Sequence, residues 1–166
     1  ADNELETRSA LKKLLEFQEE DFYQMFQAVQ DKPMIIRLLD PPMHEFLPKD
    51  SQEIKALADK LHKSPEKLTC RIEQLQESNP MLGHRGCRLG MVYPEIYEMQ
   101  INAIFEAVAE LTKAGVKVRP EVMIPLVGTR AEMKFFREMA DRIAGEVMKA
   151  SGTDFTYLVG TMIEVP

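Results

Sequence analysis

Cysteine is scarce in this sequence: Cys70 and Cys87 are its only two. They form no C-x-x-C pair, so neither a zinc ribbon nor a thioredoxin-like redox motif is present, and a reduced cytoplasmic setting is expected. Long apolar runs are also missing. No stretch reaches the roughly 18 consecutive apolar residues of a membrane span, and the opening ADNELETRSA is acidic and polar where a targeting peptide is basic and then apolar. Positive charge is not in excess: 21 Lys and Arg against 27 Asp and Glu leave a net charge of −6. Without a general basic field, nucleic acid and anionic membrane are poor choices of partner, although a local set of arginines could still bind a small anion.

Several catalytic signatures are absent as well. His44-Glu45 continues as Phe46-Leu47-Pro48, which lacks the second histidine of H-E-x-x-H. Neither G-x-x-x-x-G-K-[ST] nor G-x-S-x-G occurs. His62 falls on the polar side of a helix. The eleven methionines fall mostly on helix faces and strand runs, where they read as core filler and not as a copper or haem site. No internal repeat, low-complexity tract or Gly/Ser-rich linker divides the chain, so residues 1–166 read as one unit.

What is present is an alternation of amphipathic helices with short apolar runs. Leu11, Leu14, Leu15, Phe22, Met25, Phe26 and Val29 recur at helical spacing over residues 7–30, with a break expected near Phe17 to Asp21. A strand is predicted over 34–39, closed by Asp40-Pro41-Pro42. Asp50 and Glu53 resemble a capping box and open a helical hairpin over 50–77, which Asn79-Pro80 stops. Gly83 to Gly90 has too many glycines for a helix interior and reads as a loop or a short strand with a loop. A helix follows over 94–114, then a strand over 121–126, a helix over 129–150 opened by Thr129 and Glu132, and a strand over 156–163. Continuous apolar strands between helices indicate parallel βα units, hence an α/β class; periodicity alone does not separate an open doubly wound sheet from an eight-stranded barrel. The chain stops at Glu164-Val165-Pro166, directly after an apolar strand that would expose an unpaired edge, so its ends do not read as those of a domain.

In parallel α/β folds ligands bind beyond the carboxyl ends of the strands, which ranks the charged residues. Arg37 lies toward the end of the first strand and Glu164 ends the last, whereas Glu121 begins its strand and is expected at the opposite rim. An arginine inside an apolar strand requires an anionic partner. Asp40 or Glu45 could supply it structurally, or a ligand could. Glu164, Arg85 and Arg88 could equally be solvated surface residues, and His84, beside Arg85, could line a site or be structural.

Particular strings narrow these alternatives. Ile36-Arg37-Leu38-Leu39-Asp40-Pro41-Pro42-Met43-His44-Glu45-Phe46-Leu47-Pro48, Asn79-Pro80-Met81-Leu82-Gly83-His84-Arg85-Gly86-Cys87-Arg88-Leu89 and Gly160-Thr161-Met162-Ile163-Glu164-Val165-Pro166 closely resemble the pyruvate, phosphate dikinase family. So do Tyr93-Pro94-Glu95-Ile96 with Glu98-Met99-Gln100, and Pro120 to Gly128. The matches lie in order over residues 8 to 166. A segment of R-L-L-D-P-P-x-H-E-F-L-P type distinguishes the dikinases from phosphoenolpyruvate synthase and from enzyme I of the bacterial sugar phosphotransferase system, which share the N-P-x-L-G-x-R and G-x-M-x-E themes.

The resemblance implies part of an eight-stranded β/α (TIM-type) barrel, roughly half, with the helical hairpin as an insertion. It implies a transferase that interconverts ATP, phosphate and pyruvate with AMP, pyrophosphate and phosphoenolpyruvate. By position in the motifs, Arg37 and Arg85 would bind the anionic substrate, Glu164 would bind it through magnesium (Mg2+), and Asp40 and His84 would surround them. Arginine presents a planar fork of donors to phosphate and carboxylate, and magnesium prefers hard carboxylate oxygens, so the residue types suit the chemistry. The implied partners are phosphoenolpyruvate or pyruvate and the phosphohistidine and ATP-binding domains of the same parent, itself a homo-oligomer. A second metal ligand in a G-T-N-D segment and a protonating cysteine would lie outside this chain; Cys87 matches no proton-transfer position. Alone, the chain is expected to be inactive. The alternatives are a fragment of phosphoenolpyruvate synthase or a related enzyme, and a non-catalytic phosphoenolpyruvate-binding or assembly module.

Overall fold

The computed structural model describes residues 4–75 and 83–165. In chain order the elements are α1 (Glu4–Val29), β1 (Pro33–Arg37), a 3-10 turn (Met43–Phe46), α2 (Ser51–Leu61), α3 (Pro65–Leu75), α4 (Gly86–Val92), α5 (Pro94–Lys113), β2 (Arg119–Ile124), α6 (Arg130–Ser151) and β3 (Leu158–Thr161). They form two compact units, Ala1–Asp40 with Gly86–Pro166, and Pro41–Arg85. The fold is mixed α/β.

In the larger unit β1, β2 and β3 form a parallel sheet in that order. Each strand follows a helix, and parallel neighbours joined this way return the chain across one face of the sheet. That face is the core. Ile36, Val122 and Val159 share a row and pack with Phe22 and Phe26 of α1, Ile101, Ile104 and Phe105 of α5, and Phe136 and Ile143 of α6. The next row, Ile35, Glu121 and Leu158, points the other way, and there Ile35 is 59% and Leu158 64% exposed. Glu121 is therefore inside β2, two residues after its start, and does not mark the opposite rim: Arg119 and Pro120 pair with Pro33 and Met34 and extend the strand backward.

Helix α1 runs unbroken through Phe17 to Asp21. No proline or glycine interrupts that stretch, and the side chains that dock on the core, Leu15, Phe22 and Phe26, recur at helical spacing on one face. Leu14 and Met25, expected on that face, are exposed, because residues about 100° around the helix from it cannot reach the same neighbour. Helix α5 begins with Pro94 at its first turn, where the missing N–H costs nothing, and lies at the centre of the core. Helix α6 opens with a complete capping box between Thr129 and Glu132 and closes at Gly152, whose φ of 67° is the left-handed conformation glycine adopts freely.

Strand β1 stops at Arg37, short of the expected limit. Leu38 still donates to the Met123 carbonyl at 2.9 Å, but Leu39 turns both backbone polar groups toward α5. Its N–H donates to Gln100 Oε1 at 2.8 Å, and its carbonyl accepts from the Tyr97 hydroxyl at 2.7 Å.

The stretch expected to be a loop from Gly83 is helical from Gly86, as α4. Glycine weakens a helix, but here close packing outweighs the propensity. A Cβ on Gly90 would lie 2.7 Å from Tyr97 Cδ2 and 2.9 Å from Phe136 Cε1, so only hydrogen lets α4 approach these two rings, which pack against each other at a tilt.

The smaller unit holds α2 and α3. Asp50 caps α2 by accepting from the N–H groups of Gln52 and Glu53, while Glu53 accepts from Lys49. His62 ends the helix at a φ of 52°. Among the described residues of α2 and α3, Ala58 and Ile72 are buried, and the expected stop at Asn79-Pro80 lies outside the described residues. No helix among the described residues is long and apolar enough to cross a membrane.

Gly90→Ala tests the contact between α4 and the rings. Because Tyr97 and Phe136 are both fully buried, neither ring can swing away, and the substitution should cost about 1–3 kcal/mol. A thermal or urea melt unchanged from the parent would show that the rings have room.

Candidate functional site

The carboxyl ends of the three parallel strands bring the candidate residues of the larger unit to one end of the sheet. Arg37 is the last residue of β1 and pairs in register with Met123, which pairs with Gly160. Its Nη1 lies 3.1 Å from Asp40 Oδ2; the arginine side chain is 47% exposed and the aspartate 2%. The pair is thus buried on the carboxylate side and open on the guanidinium side. A carboxylate removed from water needs such a cation, and removing one partner of a buried pair costs several kcal/mol.

Beyond β3 the chain stays attached to β2. The Ile124 carbonyl accepts from the Met162 N–H at 3.2 Å and from the Thr161 hydroxyl at 2.9 Å. This places Glu164 beside the turn after β2, where its Oε1 accepts from the Leu126 N–H at 2.8 Å. Leu126 has a φ of 59°, a strained value for a residue with a Cβ. Surrounding bonds hold it there. Cys87 donates its N–H to the Pro125 carbonyl and its S–H to the Leu126 carbonyl, both at 3.1 Å.

Gly86 completes this packing. Its φ is +56°, and a Cβ there would meet Leu126 Cδ1 at 2.9 Å and Asp40 Oδ1 at 3.1 Å. The start of α4 therefore lies against both the Asp40 carboxylate and the Leu126 turn. Burial pushes the Cys87 thiol up to about 11, with the nearby Glu132 adding to the shift. A thiol so displaced is a structural donor, not a nucleophile. Glu132 itself is held below the usual carboxylate range: burial opposes this, but the Gly128 N–H, the Thr129 hydroxyl and the Thr129 N–H outweigh it.

Arg85 and His84 belong to the smaller unit. Arg85 is half-buried and its N–H donates to the Gly83 carbonyl at 3.0 Å; His84 is exposed. Among the described residues, no group of three or more His, Cys, Asp or Glu side chains is gathered to hold a metal ion. The concave surface between α5 and α6, a groove of about 400 Å³ lined by Glu106, Glu110, Lys113 and Glu146, includes none of the candidate residues.

Sequence reasoning missed the Leu126 turn, the contribution of Gly86 and Cys87, and the bonds from Tyr97 and Gln100. One signal was available. Gln100 lies one helical turn from both Ile96 and Ile104, so it is a polar residue on an apolar face.

Residues 3–166 match the family described as PEP-utilising enzyme, PEP-binding domain, and the chain belongs to that family. Its curated relatives include the pyruvate, phosphate dikinase of Rhizobium meliloti (strain 1021), 49% identical over 167 residues, and that of Giardia intestinalis, 49% identical over 166. Both alignments cover 100% of this chain and 19% of the relative. The dikinase of Clostridium symbiosum is 44% identical over 158 residues, 95% of this chain and 18% of its own length. The chain thus spans about a fifth of the proteins it resembles.

The two cysteines give a direct check on the packing around Leu126. At pH 8 a thiol reagent should label exposed Cys70 rapidly and leave Cys87 unmodified until denaturant is added. Rapid labelling of both in the folded chain would mean that Cys87 does not hold the turn.

Proposed function

We propose that this chain is the phosphoenolpyruvate/pyruvate and magnesium site of a pyruvate, phosphate dikinase and forms part of one eight-stranded β/α barrel domain. In that enzyme a phosphoryl group would pass between phosphoenolpyruvate and a histidine on another domain of the same polypeptide: the phosphoenolpyruvate O–P bond breaks, an N–P bond forms, and the enolate of pyruvate is left. An ATP-binding domain would serve the other half of the reaction, in a cytoplasmic, homo-oligomeric parent.

The observation that carries this reading is the Arg37–Asp40 pair at the carboxyl end of the parallel sheet, with Glu164 at the same end. Buried Asp40 holds one side of the Arg37 guanidinium, and the open side offers a planar donor fork to a phosphoryl or carboxylate group. Arg85 would contribute a second cation and His84 and Asp40 the surrounding polar groups. Glu164 is exposed, and the Leu126 N–H fixes one of its oxygens and leaves the other to a hard cation. One carboxylate is a partial ligand set, in keeping with a second ligand elsewhere in the parent. When bound, the ion would neutralise charge on the phosphoryl and enolate oxygens.

The barrel part of the proposal rests on the parallel βα order and on the row Ile35, Glu121 and Leu158, which faces away from the helices as barrel-interior residues do.

In a full-length dikinase carrying this segment, Arg37→Lys should be damaging despite its retained charge, because an ammonium cannot reproduce the fork. Glu164→Gln should weaken magnesium binding. Each should slow the pyruvate half-reaction by about a hundredfold or more and spare the ATP half-reaction. A normal pyruvate half-reaction in either variant would return that residue to a structural role, and loss of both halves would mean a folding defect.

The isolated chain should form no pyruvate from phosphoenolpyruvate, AMP and pyrophosphate. Turnover by the purified chain would show that the site is complete within these residues.

A further inference from the structure

The buried polar side chains of the larger unit's core converge on one segment. Among the described residues the buried polar and charged side chains are Asp40 and Gln100, at 2% and 5% exposure, and the fully buried Tyr97 adds a hydroxyl. Asp40 pairs with Arg37, while Gln100 and Tyr97 bond the two backbone polar groups of Leu39, which lies between that aspartate and that arginine. A polar group in an apolar core is costly unless paired, and these pair with a strand end that has left its ladder.

The scaffold behind them is rigid. Tyr97 packs on Phe136 in a tilted arrangement, with ring centroids 5.3 Å apart, and is backed by Gly90. Burial raises the Tyr97 phenol and keeps it protonated, so that it stays a donor. Gln100 lies one turn further along α5. Together they fix the Leu39 peptide at both ends, which neither could do alone.

We propose that Tyr97 and Gln100 are positioning residues: by clamping the Leu39 peptide they set the direction in which Arg37 presents its guanidinium to the substrate anion. The inference rests on the reading of Arg37 as an anion-binding group. A clamp of this kind acts on pre-organisation, so losing it lowers the rate in the bound complex and is not made up by more substrate.

The test uses a full-length dikinase carrying this segment, with single-turnover measurement of the pyruvate half-reaction at saturating phosphoenolpyruvate. Tyr97→Phe removes the hydroxyl and keeps the ring packing; Gln100→Met keeps the volume and removes the acceptor. Each should lower the rate about tenfold. In an Arg37→Lys background each should lower it by less than about twofold further, because residues acting through one group are not additive. A damaging Arg37→Lys with silent Tyr97→Phe and Gln100→Met overturns this inference alone. So do fully multiplicative effects, the behaviour of general destabilisation. A silent Arg37→Lys overturns the anion-site reading and this inference with it.

Discussion

A carboxylate buried just beyond the end of an apolar strand must be met by a cation, and the Arg37–Asp40 pair is the constraint around which this structure is arranged. Asp40 is almost wholly buried, so its charge is tolerable only where a cation and close packing are guaranteed. Both follow from its neighbours. Gly86 lets α4 come within contact of Asp40, and α5 holds the intervening peptide. The same α5 forms the centre of the hydrophobic core, so the burial that stabilises the fold also orients the charged end of the strand.

A second arrangement of this kind surrounds Leu126. Its left-handed backbone is an unfavourable conformation for a residue with a Cβ, at about 1–3 kcal/mol. It persists because Glu164 accepts its N–H and Cys87 donates to its carbonyl. Glu164 therefore has a structural bond in addition to its proposed role toward magnesium. The bond limits where its carboxylate can point, as a metal-ligating carboxylate requires. Two charged groups, each held by an uncharged framework, are thereby presented at one end of the sheet.

The sheet itself is lopsided. Its helix-facing rows are packed with apolar side chains, whereas the row of Ile35, Glu121 and Leu158 is largely uncovered. Purely parallel sheets are usually covered on both faces. The chain belongs to the PEP-binding domain family and spans about a fifth of the dikinases it resembles.

From residue pattern alone came the α/β class, the parallel order, most helix limits, and the rank of Arg37 and Glu164 as strand-end charges. These follow from local rules: hydrophobic period, capping residues, and proline and glycine punctuation. Motif resemblance supplied the chemistry proposed for them. Tertiary structure decided what depends on contact between distant segments. It made α4 a helix in spite of its glycines, because Gly90 had to meet two rings, and it ended β1 at Arg37, because Leu39 found better partners on α5. It also selected Asp40 as the partner of Arg37, where the sequence left Glu45 and a ligand open. Local sequence can show that a buried charge or a polar side chain on an apolar face needs a partner; which partner it finds depends on which distant atoms the packed core brings within hydrogen-bond distance.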